Sequence, residues 1–169
     1  MPVRTGSEGL ASWARNGQGG EANKLSGVRA HHVHIEHRFT KPPERIFAYL
    51  AEHENLAEIF GANVTRLRDG DGDERNGVGS VRQLRIGPLP SFEETVTEFV
   101  PAERIVYRIT KGSPLRGHVG VMSFAPVSGG TSFVYDIRIA SPIPGLAPLV
   151  RAALTRSITK ALAKVDHDA

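Results

Sequence analysis

The 169-residue sequence predicts an α+β fold: a seven-stranded antiparallel sheet curved around a long C-terminal helix, with two short helices after the first strand. Three observations predict it. Val33, Ile35, His37 and Phe39 alternate with His32, His34, Glu36 and Arg38, the period of a half-buried strand. Six further β-favouring runs, 62–68, 79–86, 92–100, 105–111, 117–125 and 131–140, are bounded by turn-forming stretches such as DGDGDERNG, GPLP, PAER, KGSPLRG and VSGG. After SPIPGLAP, Leu146, Leu149, Val150, Ala153, Leu154, Ile158, Ala161, Leu162 and Val165 keep helical spacing, which predicts one long helix carrying a continuous apolar stripe.

Taken in order, residues 1–29 are rich in Gly, Ser, Asn and charge and lack the apolar core of a signal peptide, so they read as a flexible tail around Trp13. The folded domain is expected over 30–169. In TKPPERIFAYLAEHENLAEIFG the prolines stand at a helix start, and Ile46, Phe47 and Leu50 share one face. A second short helix, 53–60, ends at Gly61. The sheet must cover its apolar face, and the C-terminal stripe is the long apolar surface available to do so. Curvature around that helix would leave an apolar gap suited to a ligand. The opposite stripe, Arg156, Lys160 and Lys164, reads as a solvated outer face.

Composition narrows the function. Hydrophobic residues make up 40% and charged residues 23%, ordinary for a globular chain, and no apolar run reaches membrane-spanning length. The net charge is +3, but the first thirty residues carry four cations against two acids, which leaves about +1 for the rest. That balance is no argument for nucleic acid. With no cysteine, disulfides, thiolate metal sites and a cysteine nucleophile are excluded, and a cytoplasmic setting is the expectation.

The segments FTKPPERIFAYLAEHENLAEIFG, NGVGSVRQLRIG, FEETVTEFVPAERIVYRI and GVMSFAPVSGGTSFVYDI, followed by the closing helix, resemble the START-like, or SRPBCC, superfamily. Within it the chain is similar to bacterial polyketide cyclase/dehydrase-like proteins, from about Val33 to Val165. The resemblance implies a helix-grip fold (START-like, Bet v 1-like) with a deep cavity for a hydrophobic or aromatic ligand. Members bind lipids, sterols or polyketides; some cyclise or dehydrate them, and others act through protein interactions. Such a fold does not settle activity.

Several motifs fail on their own chemistry. Gly77 and Gly79 begin like a dinucleotide fingerprint, but Arg82 stands where the third glycine belongs and a strand follows instead of a helix. His32, His34 and Glu36 share a strand face at ligand spacing, but that face is opposite Val33 and Ile35, on the sheet exterior. The loop beginning at Asp69 starts like a calcium loop, yet Glu74 occupies the glycine position and Ser80 the place of the bidentate glutamate. No G-x-S-x-G elbow occurs, and Ser80 precedes a strand. No metal site and no cofactor are expected.

The remaining candidates line the expected interior. If Leu84 faces inward, Arg82 does too, and a hairpin through GPLP that sets Arg82 opposite Glu94 gives the buried cation a carboxylate. Against this, Val81 is the alternative inward residue, and the parity of Ile105, Tyr107 and Ile109 agrees with an inward Arg82 only if a bulge intervenes. Tyr107 and Tyr135 lie on apolar strand faces, and His118 alternates with Met122. The ligand-lining set is therefore Arg82, Leu84, Glu94, Tyr107, His118, Met122 and Tyr135, with Arg82, Tyr107, His118 and Tyr135 as catalytic candidates. The leading expectation is binding of a hydrophobic small molecule, as carrier or sensor. The alternative is a polyketide aromatase/cyclase or dehydratase, and the third is a protein-interaction module using the basic helix face. Converging polar groups with spare hydrogen-bonding capacity favour the enzyme; an Arg82 merely neutralised by Glu94 favours the binder.

Overall fold

The computed structural model describes residues 28–88 and 90–169. The expected tail, including Trp13, lies outside the described residues except for its last two positions. Strand β1, His31–Phe39, buries Val33, Ile35 and Phe39 and exposes His32, His34, Glu36 and Arg38, as its alternation requires. Pro42 caps helix α1, Pro43–Ala51, in an extended conformation, and Pro43 opens it with a φ already suited to a helix. A 3-10 turn, His53–Asn55, leads into helix α2, Leu56–Phe60, which stops where Gly61 adopts a left-handed φ of 60°.

The other strands are β2, Asn63–Arg68; β3, Val81–Arg85; β4, Phe92–Val100; β5, Arg104–Lys111; β6, Arg116–Val127; and β7, Gly130–Ala140. They form one seven-stranded antiparallel sheet in the order β1-β7-β6-β5-β4-β3-β2. Strands β2 to β7 follow one another as hairpins and β1 closes on β7. The chain between the two edge strands must therefore cross the sheet, and α1 and α2 occupy that crossing. Helix α3, Leu146–Asp168, completes the fold.

The register of β4 against β5 settles the parity conflict. Irregularities between Glu93 and Glu94 and between Val96 and Glu98 let Val96 pair with Tyr107 and Phe99 with Ile105. Each bulge inserts an extra residue on one strand, so Glu94 and Val96 face inward together with Ile105 and Tyr107.

The apolar stripe of α3 departs from the continuous one expected. Its buried residues are Ala147, Ile158, Leu162 and Val165, whereas Leu149 is 67% exposed and Ala153 is also exposed. Leu149 precedes Arg156 by seven residues and Lys160 by eleven, which puts it on their solvent face. The C-terminal half is held more firmly: the Ser157 hydroxyl donates to the Ile59 carbonyl at 3.0 Å, and the Thr40 amide donates to Asp166 at 2.9 Å. Among the described residues no helix is long and apolar enough to cross a membrane.

Candidate functional site

The inner face of the sheet holds an unusual density of polar side chains in an otherwise apolar core. Ser80, Arg82 and Leu84 follow one another at the two-residue period of an inward strand face, and all three are buried. Arg82 pairs with Glu94 across the β3–β4 ladder. Its Nε donates to Glu94 Oε2 at 2.8 Å, and its Nη2 lies 2.7 Å from the same oxygen but without an aligned hydrogen bond. The guanidinium carbon stands over the Tyr107 ring, 4.5 Å from its centre, a cation–π contact. Arg82 is 2% exposed and Glu94 3%. Desolvation on that scale is tolerated only because the two charges meet.

His118 lies on the other side of Glu94. Its Nε2 is 3.9 Å from Glu94 Oε1, an ion-pair distance too long for a hydrogen bond, and its Nδ1 has no partner among the described residues. Burial lowers the pKa of His118, and Arg82 pushes the same way against the opposing pull of Glu94. The imidazole is thus a neutral group with unused hydrogen-bonding capacity. Tyr107 and Tyr135 hydrogen-bond hydroxyl to hydroxyl, and burial raises both pKa values, so both phenols keep their protons. Gly120 makes room for this pair: a Cβ there would meet Tyr107 Cζ at 2.1 Å.

All seven candidates, Arg82, Leu84, Glu94, Tyr107, His118, Met122 and Tyr135, are buried, the most open being His118 at 8% exposed. Arg82, Glu94, His118, Tyr107 and Tyr135 form one chain of contacts. Two buried residues outside the candidate set, His53 and Ser80, lie at the same end of the strand face. His53, on the 3-10 turn, is 1% exposed, and its Nε2 lies 3.4 Å from Ser80 Oγ. Ser80 is legible from its period with Arg82 and Leu84; nothing in the sequence marks His53. Among the described residues, four recesses of about 480, 360, 350 and 260 Å³ open on the surface and are lined by other residues, while the site residues themselves are 8% exposed or less.

The rejected motifs lie at the surface. His34 hydrogen-bonds Asp136 at 2.5 Å and Glu36 at 3.2 Å, and these carboxylates, Asp136 foremost, raise its pKa. Asp71 pairs with Arg68 in the loop before β3, and its carboxylate packs where a Cβ on Gly79 would sit. Gly79 has a φ of 86°, so this glycine serves a turn at the strand entrance.

Residues 30–168 match the family model described as polyketide cyclase / dehydrase and lipid transport. The chain belongs to this family. No curated protein matches it. Among solved structures, the polyketide cyclase fold of this chain is similar to the ZhuI aromatase/cyclase of a Streptomyces species, with 17% identity, 82% of this chain and 90% of that one covered, and a TM-score of 0.60. It is also similar to norcoclaurine synthase from Thalictrum flavum, solved in complex with dopamine and hydroxybenzaldehyde, with 13% identity, 99% and 94% coverage, and a TM-score of 0.63. A Thermus thermophilus protein shares 18% identity over 81% of this chain and 95% of its own, with a TM-score of 0.65. At these identities the likeness is one of fold: a seven-stranded antiparallel sheet gripping a long C-terminal helix, as expected.

Proposed function

We propose that this polyketide cyclase-family protein binds a small, mainly apolar molecule carrying oxygen substituents in the interior between sheet and α3. The observation that carries this reading is the set of buried polar atoms without aligned partners, Arg82 Nη2 and His118 Nδ1, within an apolar wall of Leu84, Met122 and Phe133. Leaving a buried group such as His118 Nδ1 unsatisfied costs about 1–3 kcal/mol, whereas Arg82 Nη2 is already in an ion pair with Glu94 and keeps only its unaligned hydrogens to offer. A ligand oxygen placed between His118 and Arg82 answers that cost, while the apolar body replaces side-chain contacts. Entry requires opening, and the first half of α3, anchored by Ala147 ahead of Ile158, is the part least held by the core.

A second reading, cyclisation with dehydration, is favoured by His118. A neutral imidazole beside a guanidinium can take a proton from a carbon flanked by carbonyls while Arg82 holds the enolate oxygen. The carbanion then attacks a second carbonyl of the same molecule, the His118 imidazolium returns its proton to the resulting alkoxide, and loss of that hydroxyl with a second proton from the carbon between the carbonyls releases water and leaves a C=C bond.

Native mass spectrometry of the protein purified from its own host tests the binding reading. The expected result is a co-purifying small molecule whose occupancy falls in Arg82→Leu. An unliganded protein that also binds nothing from a lipid and polyphenol panel overturns it. A product lacking one water from a linear polyketone, abolished in His118→Phe, would support the second reading.

A further inference from the structure

The position of the protons on Ser80 and His53 carries a further inference, which rests on the ligand reading above. Ser80 has one hydroxyl proton, and the Asn76 carbonyl lies 3.2 Å from its oxygen, correctly placed to accept it. Towards His53 Nε2, 3.4 Å away, the serine oxygen is then left as an acceptor. With Ser80 donating to Asn76, the shorter of its two contacts, His53 carries its proton on Nε2 and its Nδ1 is a bare lone pair. That atom is buried and has no partner among the described residues. Nothing in the neighbouring surface network reaches it: Glu52, Glu54, Arg66, Arg75 and Asn76 bond one another beside the turn that holds His53. Burial, with Arg82 next in weight, lowers the His53 pKa to about 3, so the ring stays neutral and does not fill the vacancy by taking a second proton.

Ser80 and Arg82 occupy successive inward positions of one strand face, about 7 Å apart along it. This end of the interior thus holds an unused acceptor, His53 Nδ1, on a ring that feels the charge of Arg82. A ligand hydroxyl can donate to it, whereas an ether or carbonyl oxygen cannot. We propose that His53 Nδ1 is a specificity-determining contact that selects ligands bearing a phenolic or enolic hydroxyl over ligands bearing an ether or carbonyl at that position.

The test compares 2-naphthol with 2-methoxynaphthalene, which differ in the hydroxyl proton and one methyl group, by fluorescence titration of the full chain. Wild type is expected to prefer 2-naphthol by roughly tenfold, the value of one buried hydrogen bond. In His53→Gln, whose amide keeps the link to Ser80 but removes the acceptor, the preference is expected to vanish. In His53→Asn, which restores an oxygen near the Nδ1 position, part of it should return. Equal binding of both probes by wild type, or a preference unchanged in His53→Gln, overturns the inference and leaves the ligand reading standing. Binding of neither probe overturns both. Nitrogen-detected NMR of wild type supplies a measurement independent of how the variants fold: a protonated Nε2 is expected, and a protonated Nδ1 contradicts the assignment.

Discussion

Two arginines of this chain, Arg66 and Arg82, are direct partners across the β2–β3 ladder and yet live under opposite conditions. Arg66, on edge strand β2, reaches Glu52 at 2.5 Å, Glu54 at 3.0 Å and Asp69 at 3.4 Å, and also donates to the Asn76 side chain and the Arg75 carbonyl. Its side chain is only 11% exposed, but the carboxylates of Glu54 and Asp69 around it are open to water. Arg82, in the core, has one carboxylate oxygen, one phenol face and an amino group without an aligned acceptor. Stability alone would distribute acceptors the other way, because an unmet donor costs little in water and much in a dry interior. The difference is what the proposed function builds on: the surface cluster is a structural clasp, and the interior set is the one proposed to meet a ligand.

Breaking each side of this comparison should give unequal effects. The largest is expected from Glu94→Ala, which strands the Arg82 charge; urea denaturation should show a loss of about 3–5 kcal/mol. Gly120→Ala comes next, because the new Cβ drives into the Tyr107 ring and separates the phenol pair; a loss of about 1–3 kcal/mol is expected, read by the same method.

Acid should act through the interior too. His53 is neutral in the fold down to about pH 3 but takes a proton near 6.5 when unfolded, so the unfolded state binds more protons in that window. Its contribution is complete above pH 6.5 and is lost as pH falls toward 3, with a slope of up to about 1.4 kcal/mol per pH unit. His118, shifted the same way, adds to it. Denaturation curves between pH 7 and 4 should be flatter in His53→Gln. The smallest effect belongs to the surface: Glu54→Ala, which removes one of several carboxylates around Arg66, should change stability by about 0–1 kcal/mol.

The fold was legible because each strand carries its own period and each turn its own chemistry. The pairing of Arg82 with Glu94 was legible as well, since desolvating a cation demands a carboxylate and the GPLP hairpin brings one into register. Two things were not. The apolar residues of α3 keep helical spacing whether or not the sheet reaches under them, so periodicity alone could not separate the exposed Leu149 from the buried Ile158. His53 lies on a 3-10 turn, where no alternation assigns a side, and its role depends on Ser80, twenty-seven residues away.

The claim that the interior polar set serves a ligand is tested most directly by the double variant Arg82→Leu/Glu94→Leu, with folding stability and 2-naphthol affinity measured on the same sample. Replacing a buried ion pair by apolar residues is often neutral or stabilising by about 1–4 kcal/mol. The expected result is therefore a protein at least as stable as wild type whose affinity has fallen more than about tenfold, the value of roughly 1.4 kcal/mol of lost contact. A stable double variant that binds 2-naphthol as wild type does would contradict the claim.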